Sequence, residues 1–153
     1  MIYIKRTALA VIIVSLVTVS GFFLFKKNEA ETLILKSIEY QKSHKWDEYV
    51  ELHNFDSEDK EHLLSFLKDS ENQASKEGIH EIQDIKLVGM ELTSDPEFWS
   101  KGDYVYDVLL DMKVLTPSDI YMNGISRHIF VLNKTSDGLK IETVYLDRLY
   151  EHK

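Results

Sequence analysis

Cysteine is absent from the 153 residues. The chain therefore forms no disulfide, offers no thiolate to a metal or a substrate, and has no cysteine to carry a lipid. Glycine and proline are scarce, six and two residues. None of the glycines belongs to a phosphate-cradling loop or a G-x-S-x-G turn, which removes the usual nucleotide and serine-hydrolase signatures. Positive charge is in the minority. All 26 acidic residues follow Phe25 but only 16 of the 18 basic ones do, leaving that part of the chain at −10. This balance argues against nucleic acid or an anionic lipid surface as a partner, because phosphate binding is driven by clustered Lys and Arg. Repeats and low-complexity stretches are also missing.

What the sequence does have is one long apolar run. Thr7 to Phe25 holds 19 uncharged residues between Lys5 and Arg6 on one side and Lys26 and Lys27 on the other. As a helix rising about 1.5 Å per residue it reaches roughly 28 Å, near the hydrocarbon thickness of a bilayer. The spacing predicts a single transmembrane helix at 7–25 behind a tail of residues 1–6, with phenylalanines at the interface and lysines among the headgroups. The alternative is a secretory signal cleaved after Ser20. Cleavage there would leave Gly21-Phe22-Phe23-Leu24-Phe25 as a free terminus, and the run exceeds the about 7 to 15 residues of a signal core. The flanking charges balance, so they do not orient the helix. A short tail and a large following domain point to a cell-membrane anchor with residues 26–153 as one extracytoplasmic domain.

That domain changes period once. Ala30, Leu33, Ile34, Ser37, Ile38 and Gln41 recur at three- and four-residue spacing, and Trp46, Tyr49, Val50 and His53 repeat the pattern, so a helix is expected over 29–53 with a break near Ser43–Lys45. Asp56 or Ser57 caps a second helix over 57–77, with Glu58, Asp59 and Glu61 in its first turns. Leu63, Phe66, Leu67, Ser70 and Ala74 form its apolar face, and Gly78 stops it. From His80 onward β-branched and aromatic residues alternate, predicting strands at 81–93, 103–115, 120–133 and 139–146. In the second strand Tyr104, Tyr106, Val108, Leu110, Met112 and Val114 share a core face, opposite Val105, Asp107, Leu109, Asp111 and Lys113. Short links, Thr116–Asp119 and Thr135–Gly138, imply antiparallel neighbours. Asp95–Trp99 is a longer connection expected to expose aromatics. The fold class is α+β, two or three helices packed on a curved four-stranded antiparallel sheet.

The Trp46-x-x-Tyr49-Val50-x-Leu52 helix, the amphipathic helix ending at Gly78, and strands closing from His128 to Leu139-Lys140-Ile141 resemble the cystatin-like and nuclear-transport-factor-two-like superfamily. Leucine stands at 139 where that group often has tryptophan. The likeness covers about Asn28 to Leu146 and extends to small membrane-anchored envelope proteins of Gram-positive bacteria. It implies a cone-shaped fold with a pocket between helices and sheet. An enzyme of this type would use a pocket carboxylate as base, in the manner of ketosteroid isomerase or polyketide cyclases.

Asp107, Asp111, His128, Tyr40 and Tyr49 are the candidate ligand-binding residues for such a pocket. Charged residues are mostly exposed, so Asp107, Asp111 and Lys113 read instead as the solvent face of a half-exposed sheet. Tyr40, Trp46 and Tyr49 read as core aromatics. No catalytic residue, metal site or cofactor is assigned. His80-Glu81 opens like a zinc helix motif but ends in Asp84 on a strand. His44, His53 and His62 stand nine apart and read as surface or helix-end residues, and Asp56–Glu61 lacks the glycine and final glutamate of a calcium loop. Asn133-Lys134-Thr135 is a glycosylation acceptor only in a secretory pathway that nothing else here implies.

Two functions fit. One is a non-enzymatic binding or scaffold domain at the outer face of the membrane, engaging another envelope protein. The other is a small-molecule pocket, isomerase- or cyclase-like if a carboxylate lies inside it.

Overall fold

The computed structural model describes residues 29–68, 82–117 and 122–150. The expected membrane helix and its flanking Lys5, Arg6, Lys26 and Lys27 lie outside these residues, as do Gly78, His80 and the last part of the 57–77 helix. Among the described residues no helix is long and apolar enough to cross a membrane.

Among the described residues three helices precede four strands. α1 covers residues 29–42, α2 is Trp46–Val50 and α3 is Ser57–Lys68. The break between α1 and α2 falls at the Ser43–Lys45 interruption. His44 takes a left-handed φ of 53°, Lys45 N donates to Tyr40 O at 2.8 Å and Ser43 Oγ to Glu39 O at 2.6 Å, which satisfies carbonyls that the last turn of α1 would leave bare. Asp56 is the cap of α3, its Oδ1 accepting from Asp59 N at 2.9 Å. Along α1, Ala30, Ile34, Ser37 and Ile38 are buried, as their spacing requires. The face of α3 is turned from the expected one. Leu67 is 1 % exposed and Leu63 and Leu64 pack beside it, whereas Phe66 is 38 % exposed.

The strands β1 (Ile82–Leu92), β2 (Tyr104–Val114), β3 (Gly124–Thr135) and β4 (Gly138–Tyr150) form one antiparallel sheet in chain order. Two ends differ from expectation. β3 starts at Gly124, after Met122 and Asn123 outside the strand, because Asn123 turns its Oδ1 onto Val114 N at 2.7 Å and Gly124 adopts φ 110°, while the expected start at Ile120 lies outside the described residues. β4 runs past Leu146, since β3 continues to offer backbone partners down to Ile125. The β3–β4 hairpin closes through Ser136 and Asp137, with Gly138 at φ 106°. A positive φ there is why the turn uses glycine.

The sheet has two different faces. Tyr106, Val108, Leu110, Met112 and Val114 point towards the helices and share one core with Ile34, Ile38, Trp46, Val50, Leu67, Phe130, Leu132 and Ile141. Full burial of each large apolar side chain of this set contributes about 1.5–3 kcal/mol. On the opposite face a smaller cluster joins Phe98, Val105, Ile129 and Val131. It exists because the 93–103 connection folds back under the sheet. Asp95 begins a turn, its carbonyl accepting from Phe98 N at 3.1 Å. Asp103 N donates to Asn133 Oδ1 at 3.0 Å, so the asparagine of the glycosylation-like triplet is occupied in tying down this loop. Phe98 is inside and Trp99 is 61 % exposed. The loop thus exposes one of its two aromatics.

Candidate functional site

A cavity of about 200 Å³ opens between the helical layer and the upper part of the sheet. Its floor is Ile85, Leu110, Met112 and Phe130, with Val144 and Leu146 along one wall. Three polar side chains reach it: Gln41 from the end of α1, Tyr49 from α2 and His128 from β3. Strand parity explains the last, since His128 lies opposite Val108 and Leu146, both inward-facing positions. Two residues earlier on the same face, Ser126 places its hydroxyl 2.8 Å from His128 Nε2. Among the described residues no carboxylate or cationic side chain lines it.

Burial tunes both ring groups the same way, towards neutrality. His128 is pushed down to about 4 by desolvation of its imidazolium, so it is uncharged at neutral pH. Desolvation likewise pushes the Tyr49 phenol up to about 12. The Tyr49 ring meets His53 edge-on at 4.7 Å and Trp46 at 6.1 Å. What results is an uncharged pocket with hydrogen-bonding groups at its rim and hydrocarbon at its base.

The five candidate residues are divided between the two faces. Tyr49 and His128 line the cavity together. Tyr40 is half-buried near the end of α1 under Lys45, whose Nζ is 6.0 Å from its ring centre, and is not among the lining residues. Asp107 and Asp111 project from the sheet's other face. The pairing places Asp107 opposite Ile129 and Glu91, and Asp111 opposite Lys86 and Ile125. Asp107 is also not a solvent-face residue. Both of its carboxylate oxygens accept from Arg127 Nη2 at 2.8 Å, and the two side chains are only 14 % and 18 % exposed. The loop carrying Phe98 covers part of that face, a cover that alternation along β2 alone does not reveal.

His53 follows the end of α2, as one of its two expected settings had it, but is 5 % exposed rather than on the surface. Its ring stacks on Phe55 at 5.2 Å, and its Nδ1 is 3.0 Å from Tyr49 O. Burial, followed by the nearby Lys140 charge, lowers its pKa against the raising effect of that carbonyl. His44 and His62 are exposed. Gln41 is the cavity residue that sequence reasoning left in the core pattern; its place at the last helical turn before a polar break was the available signal. Among the described residues no three His, Asp or Glu side chains converge as metal ligands would.

No family model matches the chain, and neither a curated sequence nor a solved structure does.

Two outcomes follow from this geometry. Asp107→Ala breaks a mostly buried ion pair with Arg127 and should cost about 2–3 kcal/mol in urea unfolding, while Asp111→Ala stays within about 0.5 kcal/mol. Equal costs for the two would contradict the assigned ion pair. The pH dependence has a definite sign. Because folding depresses the His128 pKa below its ordinary value, its contribution is fully present above pH ~6.5 and is lost as pH falls towards about 4. An NMR titration of the imidazole should have its midpoint near 4, and His128→Gln should flatten the stability loss between pH 6.5 and 4.

Proposed function

We propose that this chain is a non-enzymatic binding domain, tethered at the outer face of a cell membrane by the Thr7–Phe25 helix, with the helix–sheet cavity as its ligand site. The observation that carries the reading is the chemistry of the cavity wall. Among the described residues nine side chains line it and none of these is charged. A base-catalysed isomerase or cyclase needs a carboxylate beside its substrate, and Asp107 and Asp111 lie on the other side of the sheet.

The same wall sets the ligand class. A charged ligand would give up its hydration with no counter-charge to replace it, which costs several kcal/mol. A neutral molecule with an apolar body and one hydroxyl or carbonyl suits Tyr49, Gln41 and His128. Size sets the scale, since an apolar protein cavity of roughly 150 Å³ takes up benzene. One ring or a short branched chain therefore fits the 200 Å³ available.

A second reading has an observation of its own. Trp99 is 61 % exposed and held in place by its Nε1, which donates to Thr93 O at 3.2 Å. A fixed, exposed indole is the kind of anchor that protein interfaces use, so this loop is where another envelope protein would engage the domain.

The test uses the full-length protein in detergent micelles and thermal unfolding. Phenol, cyclohexanol and indole should each raise the midpoint by a few degrees at millimolar concentration, whereas benzoate and benzylamine should not. Filling the cavity with Val144→Trp should abolish the response. Preferential stabilisation by a charged compound, or an undiminished response in the filled variant, would refute the assignment.

A further inference from the structure

β1 is an edge strand of eleven residues, and its outer edge pairs with nothing among the described residues. The opposite edge is treated differently. There the 52–54 segment hydrogen-bonds to Ile141, with Ile141 N donating to Leu52 O at 2.9 Å and Asn54 N to Ile141 O at 2.8 Å. Along β1 three apolar side chains are instead exposed: Leu87 at 38 %, Val88 at 52 % and Leu92 at 53 %. Single chains usually avoid a long edge of this kind, because its free N–H and C=O groups recruit another strand.

We propose that this edge pairs antiparallel with β1 of a second copy of the same chain, about a two-fold axis between Val88 and Gly89. The sequence of the strand is self-complementary in that register. Lys86 meets Glu91 of the second copy, Leu87 meets Met90, and Ile85 meets Leu92, and every pair recurs through the axis. Facing also agrees. The ladder with β2 skips one residue at Val88, so Leu87 and Met90 lie opposite Leu110 and Val108, both inward-facing, while Lys86 and Glu91 lie opposite Asp111 and Asp107 on the other face. An unbroken strand would put the members of each pair on opposite faces. The bulge, which often blunts an edge, is here what makes the register face-matched.

Charge supplies the second argument. Glu91 stands beside Asp107 in the ladder, where both Asp107 oxygens share the single nitrogen Nη2 of Arg127. Lys86 is 70 % exposed, with only a loose 3.7 Å contact to Asp84. Bringing Lys86 of one copy to Glu91 of the other offsets an acidic crowding within each chain. Opposite charges across strands are favourable and like charges are not.

The experiment uses full-length protein in native membranes, where the absence of cysteine makes single-cysteine variants clean. Val88→Cys beside the axis should form a disulfide-linked dimer under mild oxidation, and Lys113→Cys, exposed elsewhere on the sheet, should not. In the Val88→Cys background, Lys86→Glu or Glu91→Lys should each cut dimer yield at least fivefold, and the two together should restore it. Restoration separates pairing between copies from effects within one chain, since the reversed charges keep their own neighbours in the double variant. No Val88 dimer, single and double reversals with equal yield, or adducts only to a different polypeptide would each overturn the proposal.

Discussion

A short stitch at one edge of the sheet holds the helical layer in place. Leaving α2, the chain adds a single parallel bridge to β4, where residues 52–54 trade backbone hydrogen bonds with Ile141. Around it Asn54 Nδ2 reaches Glu142 at 2.9 Å, and Lys140 Nζ donates to Glu51 O at 2.6 Å. Buried His53 sits in the middle of the stitch. It ends α2 after five residues, closes one sheet edge, and fixes Tyr49 over the inner face. The helices are pinned near Ile141, and the space that remains lies further up the sheet, at Leu110, Met112 and His128. The cavity is therefore a consequence of where the two layers are fastened.

The sheet then separates two chemistries. On its helix side an uncharged imidazole and phenol look into hydrocarbon, because desolvation there penalises every ionised form. On its far side Asp107 and Arg127 pair at 2.8 Å in a mostly buried position. That contrast is what favours the proposed reading of the helix-side cavity as a binding site.

Much of this order is legible in the sequence. The alternation of β2 gives its inner and outer faces directly, the polar Ser43–Lys45 step gives the helix break, and Thr135–Gly138 gives the hairpin. Contacts between distant segments are less accessible. Arg127 lies twenty residues from Asp107, and no local period joins them; the same holds for the loop at Phe98, which buries Val105 on the face expected to meet solvent. His53 looks like a helix-end residue because it is one, and only the bridge to Ile141 makes it a core residue. Asn123 shortens β3 through a single side-chain hydrogen bond, which propensity does not register. The candidate site was half visible: the inward parity of His128 and the helical spacing of Tyr49 place both at the cavity, whereas the two aspartates could be assigned to the outer face but not to their partners.

The central claim is that the ligand enters the uncharged wedge on the helix side of the sheet. Methyl NMR of the full-length protein, labelled at Met and Ile and titrated with cyclohexanol, tests it most directly. The Met112 ε-methyl and Ile85 δ-methyl should shift in a saturable way, while Ile129, buried in the outer cluster, should not move. Shifts confined to Ile129, or none at saturating cyclohexanol and none with benzoate, would contradict the account.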